Sequence, residues 1–195
     1  MYVRDAKNRD EAWLLDQIEA MELDETAFRS RDYVIAVDEH TGERAGFGRI
    51  RIHKADDEEI CELTSIGVVS EWRDQGVGAH VVERLVTTAR DNGFETVYSL
   101  TSETSYLSQF GFSAVEPAQL PDALQRRLED KQEGSDPGAV PMRIDVERFR
   151  MPGHLREAFK NARSEPEEDP EPEESPEDFG IDPDSATYKY DTGGQ

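Results

Sequence analysis

The chain has 195 residues, 35% of them hydrophobic, which is enough for one modest core and a tail but not for a second full domain. Its formal net charge is -22, and no basic stripe dense enough to neutralise a phosphate backbone is visible, which argues against a nucleic-acid partner. No run approaches the roughly 18 apolar residues of a membrane span. The segment Met1-Tyr2-Val3-Arg4-Asp5-Ala6-Lys7 does not lead into a signal-peptide core, and the lone Cys61 and scattered histidines lack the spacing of a disulfide or zinc site, so a cytoplasmic, metal-free protein is expected.

Tyr2 to Ala6 reads as a short strand. A helix follows, with Ala12, Leu14, Leu15, Ile18 and Met21 at helical spacing, Asn8 as its N-cap and Glu11 closing a capping box. Tyr33 to Val37, Ala45 to His53 and Ile60 to Val69 are strand-like runs separated by turn chemistry, and they predict an antiparallel meander. Beyond Gly78 the residues Val81, Val82, Leu85, Val86 and Ala89 form an apolar stripe at 3.6-residue spacing that ends at Asn92-Gly93. Thr96 to Leu100 is a strand, Ser102 to Phe110 a short helix, Phe112 to Val115 the start of a strand, Leu120 or Pro121 to Lys131 a helix, and Ala139 to Val146 a strand. The strand, helix and strand around Gly76 make a βαβ unit, so the sheet is expected to be mixed.

From Ser164 the composition shifts to acidic and proline residues: twelve acidic side chains face one basic, Lys189, which gives this segment -11. Disorder is expected there, with Phe179-Gly180-Ile181 and Tyr188-Lys189-Tyr190 as either a docking motif or tolerated residues. Residues 1–163 carry the other -11. Only five of the 22 basic residues are lysines, and this balance resembles that of proteins from salt-accumulating halophiles, which implies a halophilic archaeal source.

Arg73-x-x-Gly76-x-Gly78 lies between a strand and a helix. Its glycines allow a tight turn and close approach of a ligand, and the unpaired first N–H groups of the helix lie at the positive end of its dipole, which suits a pyrophosphate. Val81 stands where a dinucleotide fingerprint needs its third glycine, and no Gly-Lys-Ser/Thr of a P-loop follows. A plain glycine-rich turn is the other reading.

Ser65-Ile66-Gly67-Val68-Val69-Ser70-Glu71-Trp72-Arg73-Asp74-Gln75-Gly76-Val77-Gly78 resembles the acetyl-coenzyme A motif of the GNAT superfamily of N-acetyltransferases, and Tyr106-Leu107-Ser108-Gln109-Phe110-Gly111-Phe112 resembles that family's helix ending in Gly-Phe. The resemblance implies a mixed, mostly antiparallel sheet of six to seven strands flanked by helices over residues 1–150, with a C-terminal extension at 151–163 and the acidic tail at 164–195. Acetyl-CoA would then be the co-substrate, and its acetyl group would pass by direct attack to a primary amine of a small molecule or peptide. The protein would be a monomer or homodimer.

On the same resemblance Ile66, Gly67 and Val68 would pair with the pantetheine amides. Asp74, Gln75, Gly76, Val77, Gly78 and Ala79 would hold the pyrophosphate, with Arg73 supporting the loop. Glu62 would be the general base, two residues further from the loop than in histone-acetylating members, where Thr64 stands here. Glu59 or a water held by carbonyls competes for that role, and a plain surface position on an alternating strand is the structural alternative. Tyr106 would be the general acid, one place before the position, here Leu107, where many relatives carry tyrosine. Ser105, Ser108 or solvent could replace it, and Tyr106 could equally be a core aromatic.

Cys61, on the opposite strand face from Glu62, reads as packing, and His80 as a helix-surface residue. Glu62-Leu63-Thr64-Ser65 with Leu120 to Leu124 looks like N-acetylglutamate synthase-type members, in which case Arg29, Arg31, Arg49 and Arg51 could form a carboxylate clamp, with acceptor loops at Leu23 to Arg31 and Gln132 to Pro141. A non-catalytic, CoA-binding regulatory module is the alternative class. The acidity of the folded part generates one prediction. Its self-repulsion is screened at molar salt, where the Debye length falls to about 3 Å, so thermal unfolding monitored from low to molar KCl should move to higher temperature; an unchanged midpoint would contradict salt adaptation.

Overall fold

The computed structural model describes residues 1–55 and 58–163. The acidic tail, with the disorder and docking readings placed on it, lies outside the described residues.

Seven strands form one sheet: β1 (Tyr2–Asp5), β2 (Tyr33–Val37), β3 (Arg44–Ala55), β4 (Glu58–Val68), β5 (Thr96–Thr101), β6 (Ser113–Ala114) and β7 (Val140–Asp145). Their order is β1-β2-β3-β4-β5-β7-β6, and every neighbouring pair is antiparallel except β4 and β5. The helices are α1 (Glu11–Ala20), α2 (Val77–Asp91), α3 (Thr104–Ser108), α4 (Asp122–Glu133) and α5 (Gly153–Lys160). None is long and apolar enough to cross a membrane among the described residues. Residues 151–163, for which the sequence predicted no element, hold α5.

Alternation along the strands assigns two faces. Val34 and Ala36 of β2, Ala45 and Ile50 of β3, Cys61 and Leu63 of β4, Val97 of β5 and Met142 and Ile144 of β7 pack with α2 in the main core. The predicted stripe of α2 supplies Val81, Val82, Leu85, Val86 and Ala89, all buried, and each large side chain contributes roughly 1.5–3 kcal/mol by leaving water. Cys61 faces this core, and burial pushes its thiol up to about 12, so it is a packing residue with no thiolate at neutral pH.

The second face carries two separate apolar clusters. Leu14 and Ile18 of α1 pack on Tyr33, Ile35, Val37 and Phe47. Leu124 and Leu128 of α4 pack with Ile60 and Leu100. The strip of β3 and β4 between these clusters is polar.

The start of α1 departs from expectation. A short 3-10 turn, Asn8–Asp10, precedes it, and the carboxylate that reaches back is Asp10, which accepts the Lys7 N–H at 2.8 Å. The extra turn moves the reciprocal position one residue earlier than the predicted Glu11. Asp10 has no solvent exposure and accepts from Arg4 of β1 at 2.7 and 3.1 Å and from Arg44 Nε of β3 at 2.9 Å.

Burial pushes the Asp10 carboxyl up, but the hydrogen bonds from Arg4, the Lys7 N–H and Arg44 outweigh it and hold the group well below the ordinary carboxylate range. Its stabilisation is therefore complete above that ordinary range and is lost as pH falls toward the depressed folded value. Replacing Asp10 by Ala strands two arginines, and a loss of about 3 kcal/mol is expected in urea unfolding at neutral pH. The variant's deficit should shrink as the pH drops below 4 if the carboxylate is its source.

Candidate active site

The parallel contact between β4 and β5 is only three pairs long: Cys61 with Val97, Glu62 with Tyr98 and Leu63 with Ser99. Ser99 Oγ donates to the Leu63 carbonyl at 3.0 Å and closes the pairing. The next residues of β4 form a bulge, in which Ser65 and Ile66 stand opposite Gly48, between the pairs Arg49–Thr64 and Phe47–Gly67. Ser65 takes φ 49, a left-handed conformation that costs a non-glycine residue about 1 kcal/mol, and its Oγ donates to the Asp24 carbonyl at 2.7 Å.

The bulge turns β4 away from β5, and a cavity of about 660 Å³ opens in the wedge. Its walls include Thr64, Ser65, Ile66 and Val68 from β4, Ser99 to Thr101 from β5, Asp24 from the loop after α1, and Lys131 and Asp136 around the end of α4. Past Leu63 the β4 backbone no longer pairs with β5, so this stretch is a sheet edge inside a cleft. Such an edge can pair with the amides of an extended ligand.

The cavity ends at the start of α2, where Arg73, Gly78, Tyr106 and Leu107 line it. Gly76 is the N-cap with φ 72, and Asp74 before it has φ 60. No side chain caps α2, so the N–H groups of Val77, Gly78 and Ala79 are orphan donors of its first turn. They can meet an anion. Gly78 lines the cavity, and a Cβ there would come within 2.7 Å of the Tyr106 hydroxyl.

Gly76 and Gly67 are small for different reasons. A Cβ on Gly76 would lie 2.2 Å from the Leu155 carbonyl oxygen, and one on Gly67 would meet Met21 Sδ and Phe47 Cζ at 2.7 Å. Arg73 Nε lies 3.4 Å from the Val68 carbonyl it donates to, and Gln75 Nε2 donates to the Glu71 carbonyl at 3.0 Å, so both side chains tie the loop to itself.

Glu62 has no solvent exposure and lies on the polar strip of the second face. Its Oε2 accepts from His53 Nε2 at 2.7 Å and lies 3.4 Å from Arg127 Nε, while its Oε1 has no hydrogen-bond partner among the described residues. Burial pushes the carboxyl up, but the His53 hydrogen bond and the charges of Arg127 and Lys131 more than offset it, leaving it below its ordinary value and ionised at neutral pH. Tyr106 packs edge-on against Phe110, and burial pushes its phenol up to about 12, so it keeps its proton at neutral pH.

Sequence reading did not bring together the groups around Glu62. Arg49, Arg51 and His53 of β3 share its face, since Arg51 is the register partner of Glu62 and Arg49 of Thr64. Arg127 and Lys131 come from α4, and Asp24, which is ion-paired to Arg127, from the loop after α1. Three arginines, and a lysine whose burial pushes its ammonium below the ordinary value, thus meet two carboxylates on one strip.

Among the described residues six buried side-chain polar atoms lack a hydrogen-bond partner, and five belong here: Tyr33 Oη, Arg49 Nε, Arg51 Nη1, Glu62 Oε1 and Thr64 Oγ1. Buried polar groups in folded proteins are otherwise almost always paired. Arg49 is committed in part, because it donates to the Thr26 and Ala27 carbonyls at 2.9 and 2.7 Å. Arg29, Arg31, Arg49 and Arg51, the four arginines of the expected clamp, line one depression outside the wedge. The alternation Arg49-Ile50-Arg51-Ile52-His53 was the visible signal that these cations share a face.

Comparison with known proteins gives the same outline. The model of the "Acetyltransferase (GNAT) family" matches residues 3–112. An uncharacterized N-acetyltransferase of Chlorobaculum tepidum is 24% identical over 96 residues, 49% of this chain and 59% of its own length. An amino-acid acetyltransferase of Mycobacterium tuberculosis is 29% identical over 75 residues, 38% of this chain and 41% of its own length. The chain therefore spans about half the length of these curated relatives. Among solved structures, a Mycobacterium tuberculosis protein in complex with CoA superimposes with a TM-score of 0.61 at 18% identity, covering 74% of this chain and 99% of that one. N-acetylglutamate synthase of Neisseria gonorrhoeae, complexed with coenzyme A and N-acetyl-glutamate, gives 0.59 at 18% identity over 74% of this chain and 35% of that one.

The unpaired hydroxyl of Thr64 tests whether the strip is built for a ligand or for stability. Thr64→Val removes a buried oxygen that has no protein partner, so the melting temperature of the unliganded protein should hold or rise by about 1–4 °C. A fall of several degrees would reveal a structural role for the hydroxyl.

Proposed function

Because the chain belongs to the GNAT family of acetyltransferases, we propose that it transfers the acetyl group of acetyl-CoA to the primary amine of a small acceptor that carries a carboxylate, an amino acid being the simplest case. The observation that carries the acceptor class is the excess of cations around Glu62, with Arg49, Arg127 and Lys131 buried and Arg51 partly exposed, in a protein whose net charge is -22. Buried polar groups without partners are costly, and an acceptor carboxylate held in the depression that Arg49 and Arg51 line would meet Arg51, which is partly exposed, has no hydrogen bond at Nη1 and makes only a long ion pair with Asp24, at 3.9 Å. The names of the amino-acid acetyltransferase and the N-acetylglutamate synthase among its relatives agree with this class.

In this reading the pantetheine arm lies along Ile66, Gly67 and Val68, and the pyrophosphate meets the N–H groups from Asp74 to Ala79. The two strands hold the thioester at the wedge, next to the polar strip. A neutral amine attacks the thioester carbonyl, and its proton must leave. Glu62, buried behind the cavity wall next to Leu63 and Thr64, is the assigned base: Oε2 is anchored by His53 and Arg127, and Oε1, which has no hydrogen-bond partner, is the atom that would take the proton. The departing thiolate takes a proton from Tyr106, whose phenol lines the cavity beside Gly78. The acidic composition supports, in the same reading, a salt-adapted cytoplasmic protein.

The test is thiol release from acetyl-CoA in high KCl with amino acids, peptides and polyamines as acceptors. Turnover is expected with carboxylate-bearing amino acids and not with polyamines. Glu62→Gln should lower kcat about 100-fold or more, within the range of a lost general base, and an unchanged rate on the basic side of its pH profile would remove Glu62 from the role. Arg51→Met should raise the acceptor KM about tenfold or more while leaving CoA affinity intact. Cofactor binding without turnover on any amine would instead identify a regulatory module.

A further inference from the structure

The backbone of α5 runs directly behind Gly76. The site of the absent Cβ is occupied by the Leu155 carbonyl, and the Phe159 nitrogen lies 3.0 Å from it. One turn into α2, the His80 ring stacks on Phe159 with centroids 3.8 Å apart and planes inclined by 9°, and His80 Nδ1 donates to the Gly76 carbonyl at 3.1 Å. Gln75 spans the same joint, since its Oε1 accepts the Arg163 N–H at 2.9 Å while its Nε2 holds the Glu71 carbonyl. Arg156 and Glu83 close it at 2.8 Å. The ligand side of the loop, formed by Val68, Arg73, Gly78 and Tyr106, is left open.

The loop needs such support. It contains two left-handed residues in three positions, one of them the non-glycine Asp74, and α2 has no side-chain cap. Donors that must be ordered on binding cost affinity, and donors already ordered do not. We infer that α5 is a brace that pre-sets the N–H groups of Gly76 to Ala79 for the cofactor phosphates, with Phe159 and His80 as positioning residues that act through the loop and touch no ligand. The inference rests on the reading of Asp74 to Ala79 as the cofactor loop. It gives residues 151–163 a part in cofactor affinity, and it explains Gly76 by the helix behind it, whereas Gly78 is explained by the ligand space in front.

The experiment compares the full-length chain with Phe159→Ala, Phe159→Leu and Phe159→Tyr. CoA binding is followed by calorimetry, and both KM values, kcat and the melting temperature are measured in high KCl. Phe159→Ala should weaken CoA binding about tenfold, Phe159→Leu by less, and Phe159→Tyr should keep the parent affinity by preserving the stack. The acceptor KM and the kcat at saturating acetyl-CoA should stay within about twofold. Should Phe159→Ala fail to fold, Phe159→Leu and Arg156→Ala carry the comparison. Unchanged CoA affinity in variants with lowered melting temperature overturns the brace and leaves α5 a purely structural element. Absence of CoA binding by the parent chain overturns the cofactor reading itself, and the brace with it.

Discussion

The site depends on one interruption: β4 and β5 pair over only three residues and then separate. Parallel strands joined by a helix would normally continue side by side, with every inward N–H and C=O satisfied. Here the extra residue at Ser65 breaks the register, and the left-handed conformation it requires is held from the side by the Asp24 carbonyl. The wedge, the free strand edge and the access to the first turn of α2 all follow from that bulge. Apart from the Ser65 hydroxyl, they rest on backbone geometry, so the cofactor side of such a fold can be kept while the acceptor side changes.

The polar strip on the second face is the other half of the design. The α1 and α4 clusters are both apolar and could in principle have merged into one core. They are separated instead by Arg49, Arg51, His53, Glu62, Thr64, Arg127, Lys131 and Asp24. Replacing such a network by packed apolar residues is commonly neutral or stabilising, so its presence calls for a function. The concentration of unpaired polar atoms in this strip, next to a cavity, gives the functional explanation more weight than a purely structural one.

Much of this was legible in the sequence, and the limits have physical causes. The stripe on α2 and the strand-like runs of β2 to β4 are local patterns, and they appear as predicted. The Arg73-Gly76-Gly78 loop is also local, and the structure sets it between a strand and a helix as expected. The capping residue was misread by one position because a 3-10 turn precedes α1. Helix α5 was missed because eight residues make barely two turns, and Leu155 and Phe159 are its only large apolar side chains. Its role is visible only through contacts with residues 75–83. The ion strip draws on residues 24, 49, 51, 53, 62, 127 and 131, and no sequence window spans them. The position of Tyr106 could not be decided by counting from Gly111, because Tyr106 and Leu107 both reach the cavity wall while only Leu107 belongs to the buried core.

The charge of the molecule constrains how the proposed ligands can be held. Both the cofactor phosphates and an acceptor carboxylate are anions, and a surface with a net charge of -22 repels them at long range. That repulsion is screened by salt, and so is any attraction from exposed lysines, of which there are few. Contacts formed at hydrogen-bonding distance within a buried site are screened least. In the proposed reading the chain uses two such contacts of different kinds: at α2, backbone N–H groups that carry no net charge, and at β3 and α4, arginines and a lysine that are largely buried. Because both are local, the exterior can be strongly acidic without weakening either site.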